Sequence, residues 1–516
     1  MASKKRAIER TLRVLFIASE ADPFIKVGGL ADVAGSLPPA LLSLSPQDIN
    51  GWTIDVRLVL PFHSAIRSKL KQFTPVGQFV LPRLGVPIEG QIFETNSAVI
   101  NSANPSIHPL KVYLVDGPPF RQGPQTVYSG DAQVDGERYT FFSLAVLELA
   151  RKLNWSPDIL HANDWHTALS VYAIQLERLA GVGKANAISQ SRSDSFFADT
   201  RSILTIHNLS FMGAGSEQSL QAYSLPASQD PRLPPWARQM PLPLGLLTAD
   251  SLVAVSPAYA EDILKPGYGC DLQDFLQTRS QVLTGILNGL DTSSWNPSTD
   301  PHLAANFDSN HLEDRLLNRQ TLLQEVGLSD DLKIPLIISV GRIDQQKGID
   351  LLLQSLRQVL DLPWQVILLG TGDHVLESSY RKLSEDYPDR VRVFLRFDDA
   401  LSRRMYAGAD LLAMPSRYEP CGLAQMIAMR YGCIPLAHAT GGLKDTIIDD
   451  PQLGTGFLFE EAQIQPLEAT LRRALSLYQD RTLWQSMQKR AMEKDFSWQR
   501  SALEYARIYQ KLVNNG

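Results

Sequence analysis

Short apolar runs alternate with longer amphipathic stretches along most of the chain, a spacing that predicts βαβ units and parallel sheets. Val14–Ala18 reads as a first strand, followed by a helix over about Leu30–Leu44 and a strand at Val56–Leu60. Further strands are expected at Lys111–Val115, Ile159–His161, Ile203–Ile206 and Leu252–Val255, with helices at Phe141–Leu153 and Thr167–Leu179. From about residue 334 the same grammar restarts. Strands are expected at Pro335–Val340, Gln365–Leu369, Val391–Leu395, Leu411–Met414 and Ile434–Leu436, and helices at Gly348–Leu360, Leu423–Tyr431 and Leu467–Tyr478. Two doubly wound halves joined near 290–310 account for the pattern, and ligands of such sheets lie outside the carboxyl ends of the strands. Two stretches break the alternation. Gly181–Thr200, rich in Ser, Asn, Ala and Gly, reads as a flexible surface insertion, and the proline-dense Leu225–Gly245 as an ordered loop at most.

At 516 residues the chain exceeds one ordinary core, which fits two domains of about 200–250 residues. Its 44% hydrophobic and 20% charged content is that of a globular protein, and a net charge of −6 speaks against a nucleic-acid partner. Cys270, Cys421 and Cys433 cannot build a disulfide framework and lack zinc-finger spacing, so a reducing compartment fits. No apolar run is long enough to span a bilayer, so no membrane partner is expected. The basic lead, Met1 to Arg13, has no separate apolar stretch before a cleavage site and reads as a solvated tail rather than a signal peptide.

Chemistry-bearing residues cluster where strands end. After the first strand, Lys26-Val27-Gly28-Gly29-Leu30 combines a cation, two glycines and a helix opening, which together suit an anion such as phosphate. Glycines kept for tight packing alone are the alternative. Arg342 follows a strand and Lys347 precedes a helix, a placement that suits a diphosphate or, equally, surface ion pairs with Asp344 or Asp350. Gly370-Thr371-Gly372-Asp373 follows another strand and could let backbone approach a ligand. Glu419 precedes Pro420-Cys421-Gly422-Leu423; it could cap the helix there, or accept hydrogen bonds from sugar hydroxyls while Gly422 and Leu423 donate N–H groups to phosphate. Asp164 and His207 with Asn208 each follow a short strand, as a pair of polar clusters at equivalent strand ends, although a lone buried His is commonly a core residue. No metal-ligand spacing is present, and Asp398-Asp399 and Asp449-Asp450 read as solvated pairs.

Taken together, Lys26–Val33, Asn163-Asp164-Trp165-His166, Thr205-Ile206-His207-Asn208 and Gly285–Asp291 resemble bacterial glycogen synthases and plant starch synthases. The same holds for Gln346-Lys347-Gly348, Ser416–Leu423, Thr440-Gly441-Gly442-Leu443 and Asp495-Phe496-Ser497-Trp498, all in family order from about residue 12 to 512. The resemblance implies an α/β fold of the GT-B class, two doubly wound Rossmann-like domains facing a central cleft. It implies an acceptor-side, catalytic domain over 1–295, a nucleotide-sugar donor domain over 296–496, and a helix at 497–516 packing back on the first. The implied activity is retaining transfer of glucose from ADP-glucose to the non-reducing end of an α-1,4-glucan or maltooligosaccharide, without cofactor or metal. Asp164, His207, Arg342, Lys347 and Glu419 would be catalytic. Lys26, Gly28, Gly29, Asn208, Asn288, Gly370, Gly372, Phe397, Cys421, Gly422 and Leu423 would bind substrate, with Phe397 beside the adenine. No carboxylate nucleophile is evident, which favours a front-face displacement in which the departing phosphate oxygen takes the acceptor's proton. A cytoplasmic setting is expected, and a plastid stroma fits equally. The chain departs from the family at Ala424, where Thr is usual, at Phe397, where Tyr is usual, and in Tyr128–Tyr139, which lacks an Asp-Asn pair. The last departure touches the acceptor side and motivates two alternatives: a non-catalytic glucan-binding relative, or a related transferase with another acceptor.

Overall fold

The computed structural model describes residues 10–96, 110–122, 126–185 and 196–514. Most of the basic lead (1–9) and the middle of the expected insertion (186–195) lie outside the described residues. The chain divides into two units, one formed from 1–255, 263–289 and 498–516, the other from 256–262 and 290–497. The change of unit thus falls at Gly289/Leu290 and Ser497/Trp498, and a short segment, Ser256–Asp262, belongs with the second unit rather than the first.

Among the described residues the first unit has nine strands: β1 (Arg10–Ile17), β2 (Trp52–Pro61), β3 (Thr74–Leu81), β4 (Ile88–Asn96), β5 (Lys111–Asp116), β6 (Ile159–Asn163), β7 (Arg201–Ile206), β8 (Ser251–Ala254) and β9 (Leu283–Gly285). Their order across the sheet is β3-β4-β5-β2-β1-β6-β7-β8-β9. From β5 to β9 all neighbours run parallel, and the strands expected from sequence are found there. β3 and β4 add an antiparallel edge that the apolar pattern did not reveal. β1 sits mid-sheet, where Val14, Leu15, Phe16 and Ile17 are fully buried by helices on both faces, as parallel sheets require.

The chain's last helix, Trp498–Asn514, completes this unit's core. Trp498, Ala502, Tyr505, Ala506 and Tyr509 recur at helical spacing on one buried face. Tyr509 hydrogen-bonds His161 Nδ1 at 2.7 Å, His161 Nε2 meets Thr205 Oγ1 at 2.8 Å, and Gln510 Nε2 donates to Ile49 O at 2.7 Å. The helix is thereby tied to β6, to β7 and to the turn before β2.

The second unit carries β10 (Leu336–Val340), β11 (Gln365–Leu369), β12 (Val391–Phe394), β13 (Leu411–Met414), β14 (Ile434–His438) and β15 (Phe457–Phe459), all parallel, in the order β12-β11-β10-β13-β14-β15. In both units the strand order reverses once on a parallel stretch, between β1 and β6 in the first and between β10 and β13 in the second. At such a reversal the helices leave on opposite faces and open a crevice outside the strands' carboxyl ends.

Two expectations are corrected. Leu225–Gly245 is not merely a loop: it contains a 3₁₀ turn at Pro235–Ala237 and leads into a helix at Pro241–Thr248. Pro241 and Pro243 occupy its first turn, where backbone N–H groups have no intrahelical acceptor, so proline costs nothing there. The expected insertion at 181–200 is in part regular and packed. Helix Trp165–Ala185 covers its first residues, and within its last ones Phe197 is fully buried and Thr200 Oγ1 donates to Pro157 O at 2.7 Å.

Candidate active-site residues

In the first unit the residues singled out by sequence gather at the β1/β6 reversal. β1 ends at Ile17, and the chain passes through Ser19 and Glu20 before returning through Lys26–Gly29 into the helix Gly29–Leu42. Glu20, which the sequence reading passed over, is the organiser of this loop. It is 1% exposed, and its carboxylate accepts the N–H groups of Val27 at 2.5 Å and Gly28 at 3.1 Å and the Tyr128 hydroxyl at 2.9 Å. Two of the amides expected to be open to an anion are therefore occupied by the protein itself. Space remains beside Gly29, where an added Cβ would meet nothing within 4 Å. Lys26 is exposed and lies 2.5 Å from Asp32 and 3.8 Å from Asp22.

The atypical segment Tyr128–Tyr139 is well anchored. Asp131 caps the helix Ala132–Lys152 through the N–H groups of Gln133 and Val134. Buried Arg138 pairs with Asp135 at 3.1 Å and donates to Val127 O and Thr126 O at 3.0 Å. It also meets His63 Nδ1 at 3.2 Å, whose Nε2 reaches Ser19 O at 3.0 Å. This buried network joins the segment to the end of β1, beside Glu20.

Asp164 follows β6 with φ at 54°, a left-handed conformation that is strained for a residue with a Cβ. Its Oδ1 accepts the His207 N–H at 2.7 Å and the Asn208 N–H at 3.4 Å, so it fixes the turn after β7. Burial raises its pKa to about 7 against the lowering effect of those two N–H bonds. His207 is half-buried, and desolvation holds its pKa down to about 3, so the ring is neutral. Asn163 Nδ2 donates to Ile17 O at 2.9 Å, which leaves its Oδ1 as an acceptor facing His207 Nε2 at 2.9 Å. The proton therefore sits on Nε2, and Nδ1 carries a lone pair. Asn208 Oδ1 accepts from Ser210 N–H at 3.1 Å and Ser210 Oγ at 2.6 Å, closing its own turn. Asn288, 6% exposed beyond β9, has a buried side-chain Oδ1 with no hydrogen-bond partner among the described residues.

In the second unit the β10/β13 reversal brings together Arg342 and Lys347, which follow β10, with Ser416 and Glu419, which follow β13. Lys347 Nζ lies 2.6 Å from Glu419 Oε2, which also accepts from Ser416 Oγ at 2.9 Å. Glu419 is 7% exposed and the Lys347 side chain 23%, so this is a partly buried charge pair rather than a helix cap. Both bonds fall on Oε2. Arg342 is open to solvent, pairing with Asp344 at 2.9 Å and donating to Gln346 Oε1 at 3.2 Å. Asp350 pairs instead with Arg417, at 2.8 and 2.9 Å.

Cys421 is buried, Gly422 takes φ of 73°, and Leu423 leads into the helix Ala424–Arg430, whose first N–H groups have no intrahelical carbonyl. Gly370 and Gly372 have a reason other than ligand approach. A Cβ on either would stand 1.9 Å from Gly341 O or 2.2 Å from Ile343 O, so both are needed for the chain after β11 to lie against the chain after β10. Phe397, beyond β12, is 88% exposed with its ring in solvent. Among the described residues no group of three His, Cys, Asp or Glu side chains could hold a metal, and no helix is long and apolar enough to cross a membrane.

Comparison with known proteins gives a consistent result over the whole chain. Residues 13–278 match the family model described as the starch synthase catalytic domain, and 324–492 that of glycosyl transferases group 1. The chain is 37% identical to the glycogen synthase of Streptococcus gordonii, over 97% of this chain and 100% of that protein. It is 35% identical to the Bacillus subtilis glycogen synthase, over 98% and 99%. The solved catalytic domain of starch synthase IV from Arabidopsis thaliana, bound to ADP and acarbose, superposes with a TM-score of 0.82 at 30% identity, covering 98% of this chain and 100% of that one.

Proposed function

The chain belongs to the glycogen and starch synthase family, glucosyltransferases of glycogen and starch synthesis, and from that premise we propose that it moves glucose from ADP-glucose to the non-reducing end of an α-1,4-glucan with retention at the anomeric carbon. The observation that carries this reading is the partly buried Lys347–Glu419 pair at the β10/β13 reversal, beside the helix opening at Gly422–Leu423. An adenine nucleotide as leaving group is supported by the ADP bound to the Arabidopsis relative.

Breaking the glycosidic bond builds negative charge on the departing diphosphate. Fixed cations stabilise that charge more in the transition state than in the ground state, which is what accelerates the step. Lys347 is held in place by Glu419, and Arg342 is free to swing from Asp344 onto a phosphate. The amides of Gly422 and Leu423, at the opening of the helix Ala424–Arg430, add N–H dipoles. Glu419 has Oε1 available for a glucose hydroxyl while Oε2 holds Lys347. In the first unit, taken by itself, His207 Nδ1 is an acceptor suited to a sugar hydroxyl, and the Asn288 carboxamide oxygen is buried with unused acceptor capacity. Asp164 Oδ1 accepts two backbone N–H groups and shapes the His207 turn. The transfer is read as a front-face displacement, in which the leaving phosphate oxygen takes the acceptor hydroxyl's proton as the new bond forms on the same face.

Incubation with ADP-glucose and a maltooligosaccharide ladder tests the reading. Chain extension matched by one ADP per glucose added is expected, with UDP-glucose a poorer donor. Hydrolysis alone, or binding of glucan with no transfer, would refute it.

A further inference from the structure

Ser256–Asp262 follows β8, and its chain continues into the first unit at both ends, yet it packs within the second unit. Its helix, Pro257–Asp262, lies against the helix Gly441–Thr446. The two short helices tie each other's amino ends. Asp445 Oδ2 accepts the Ala258 N–H at 2.8 Å, and Asp262 Oδ2 accepts the Gly441 N–H at 3.1 Å. Thr440, the residue before the second helix, supplies no side-chain cap of its own, so Asp262 fills that role from another element.

From these anchors, further bonds reach the backbone at Glu419. Ser256 is fully buried; its Oγ accepts the Tyr259 N–H at 3.1 Å and donates its proton to Pro420 O at 2.7 Å. Gly442 N–H donates to Glu419 O at 3.1 Å and approaches Pro420 O at 3.3 Å. The fit has no slack. A Cβ on Gly441, whose φ is 43°, would stand 2.1 Å from Glu419 O, and one on Gly442 would stand 2.1 Å from Cys421 O. The bonds to Ser416 and Lys347 orient the Glu419 carboxylate, but they leave the Pro420–Leu423 backbone to be held from elsewhere.

We infer that Ser256 and Asp262 are positioning residues for the donor: through Pro420 O and Gly441 N–H they hold the Glu419–Leu423 loop in the geometry that meets the glucosyl group and its diphosphate. The inference rests on the donor-site reading of that loop. Neither residue touches the substrate. Their effect comes from the steep penalty for a loop displaced by a fraction of an ångström from groups that must meet a transition state.

The test uses the full chain with Asp262→Ala, Asp262→Asn and Ser256→Ala. ADP affinity is measured by calorimetry, and steady-state constants for ADP-glucose and for maltoheptaose are measured separately. Both alanine variants should bind ADP more weakly and lose about 10- to 100-fold in kcat/KM for ADP-glucose, the range expected for a lost charged or buried hydrogen bond next to a site. KM for maltoheptaose should stay within about twofold. Asp262→Asn, which keeps an acceptor oxygen for Gly441, should recover most of the loss. Parental ADP affinity and donor constants in both alanine variants would overturn the inference. So would a loss that strikes donor and acceptor equally and follows the melting temperature. Should the unaltered chain release no ADP from ADP-glucose, the proposed function fails. The clamp is still decided by the ADP calorimetry, in which equal affinities across the variants refute it.

Discussion

Glu20 shows how much a single carboxylate can organise. Burial raises its pKa, outweighing the backbone bonds from Val27 and Gly28 and the Tyr128 hydroxyl that lower it. Removing it would take away the acceptor that holds the Val27 and Gly28 amides and the Tyr128 hydroxyl together. Glu20→Ala should therefore cost roughly 2–4 kcal/mol of stability, and Glu20→Gln, whose carboxamide oxygen still accepts, less than half as much. Denaturant unfolding of the two variants decides it, and equal midpoints would contradict the account. The sequence made Lys26, Asp164, His207, Lys347 and Glu419 visible because each stands just past an apolar run, where a parallel sheet delivers its ligand groups. It hid Glu20, and it showed Ser416 and Asn163 only as members of motifs, with no role of their own, because their importance lies in partners brought close only by the fold. A carboxylate just past a strand end, eight residues before the first of two glycines, was the one available signal for Glu20. The same limit applies to Lys347 and Glu419, which are 72 residues apart and form an ion pair that no spacing rule encodes.

Among the elements, the final helix carries much of the first unit's core. Burying side chains the size of Trp498, Tyr505 and Tyr509 contributes roughly 1.5–3 kcal/mol each. Tyr509→Phe should keep the packing but leave His161 Nδ1 without its 2.7 Å partner, at a cost of about 1–3 kcal/mol. A thermal melt reads this, and an unchanged melting temperature would show that the bond contributes nothing. The central strands were legible because burial on both faces gives unbroken apolar runs. β3 and β4 were not. They form the antiparallel margin of the sheet, with β3 as the edge strand and many positions partly exposed, and Pro75, Gly77 and Gly90 interrupt their alternation. The helix Pro241–Thr248 was hidden by its own prolines, which signal a loop unless their place in the first turn is known. Gly370 and Gly372 carried the right signal of close approach, but the neighbour they accommodate is backbone.

For the molecule as a whole, buried imidazoles of the first unit set its acid response. Burial lowers His63 to about 4, His161 and His207 to about 3, and His166 well below the ordinary value. Below pH 6.5 the unfolded chain takes up protons at these sites and the native unit does not. Asp164, raised to about 7, and Glu20, also raised, work the other way, keeping up to two protons that the unfolded chain has lost. The unfolded state still binds more protons, so stability should fall from pH 7 to pH 5 by on the order of 1–3 kcal/mol per unit. Urea midpoints at pH 7, 6 and 5 check this, and a flat or rising series would contradict it. The catalytic account depends most on fixed positive charge at the departing diphosphate. The direct measurement is the turnover rate of Lys347→Ala with saturating ADP-glucose and maltoheptaose, alongside the unaltered chain. A fall in kcat of about 10²- to 10⁴-fold with the fold intact is predicted; turnover within a few-fold of the parent would contradict the mechanism.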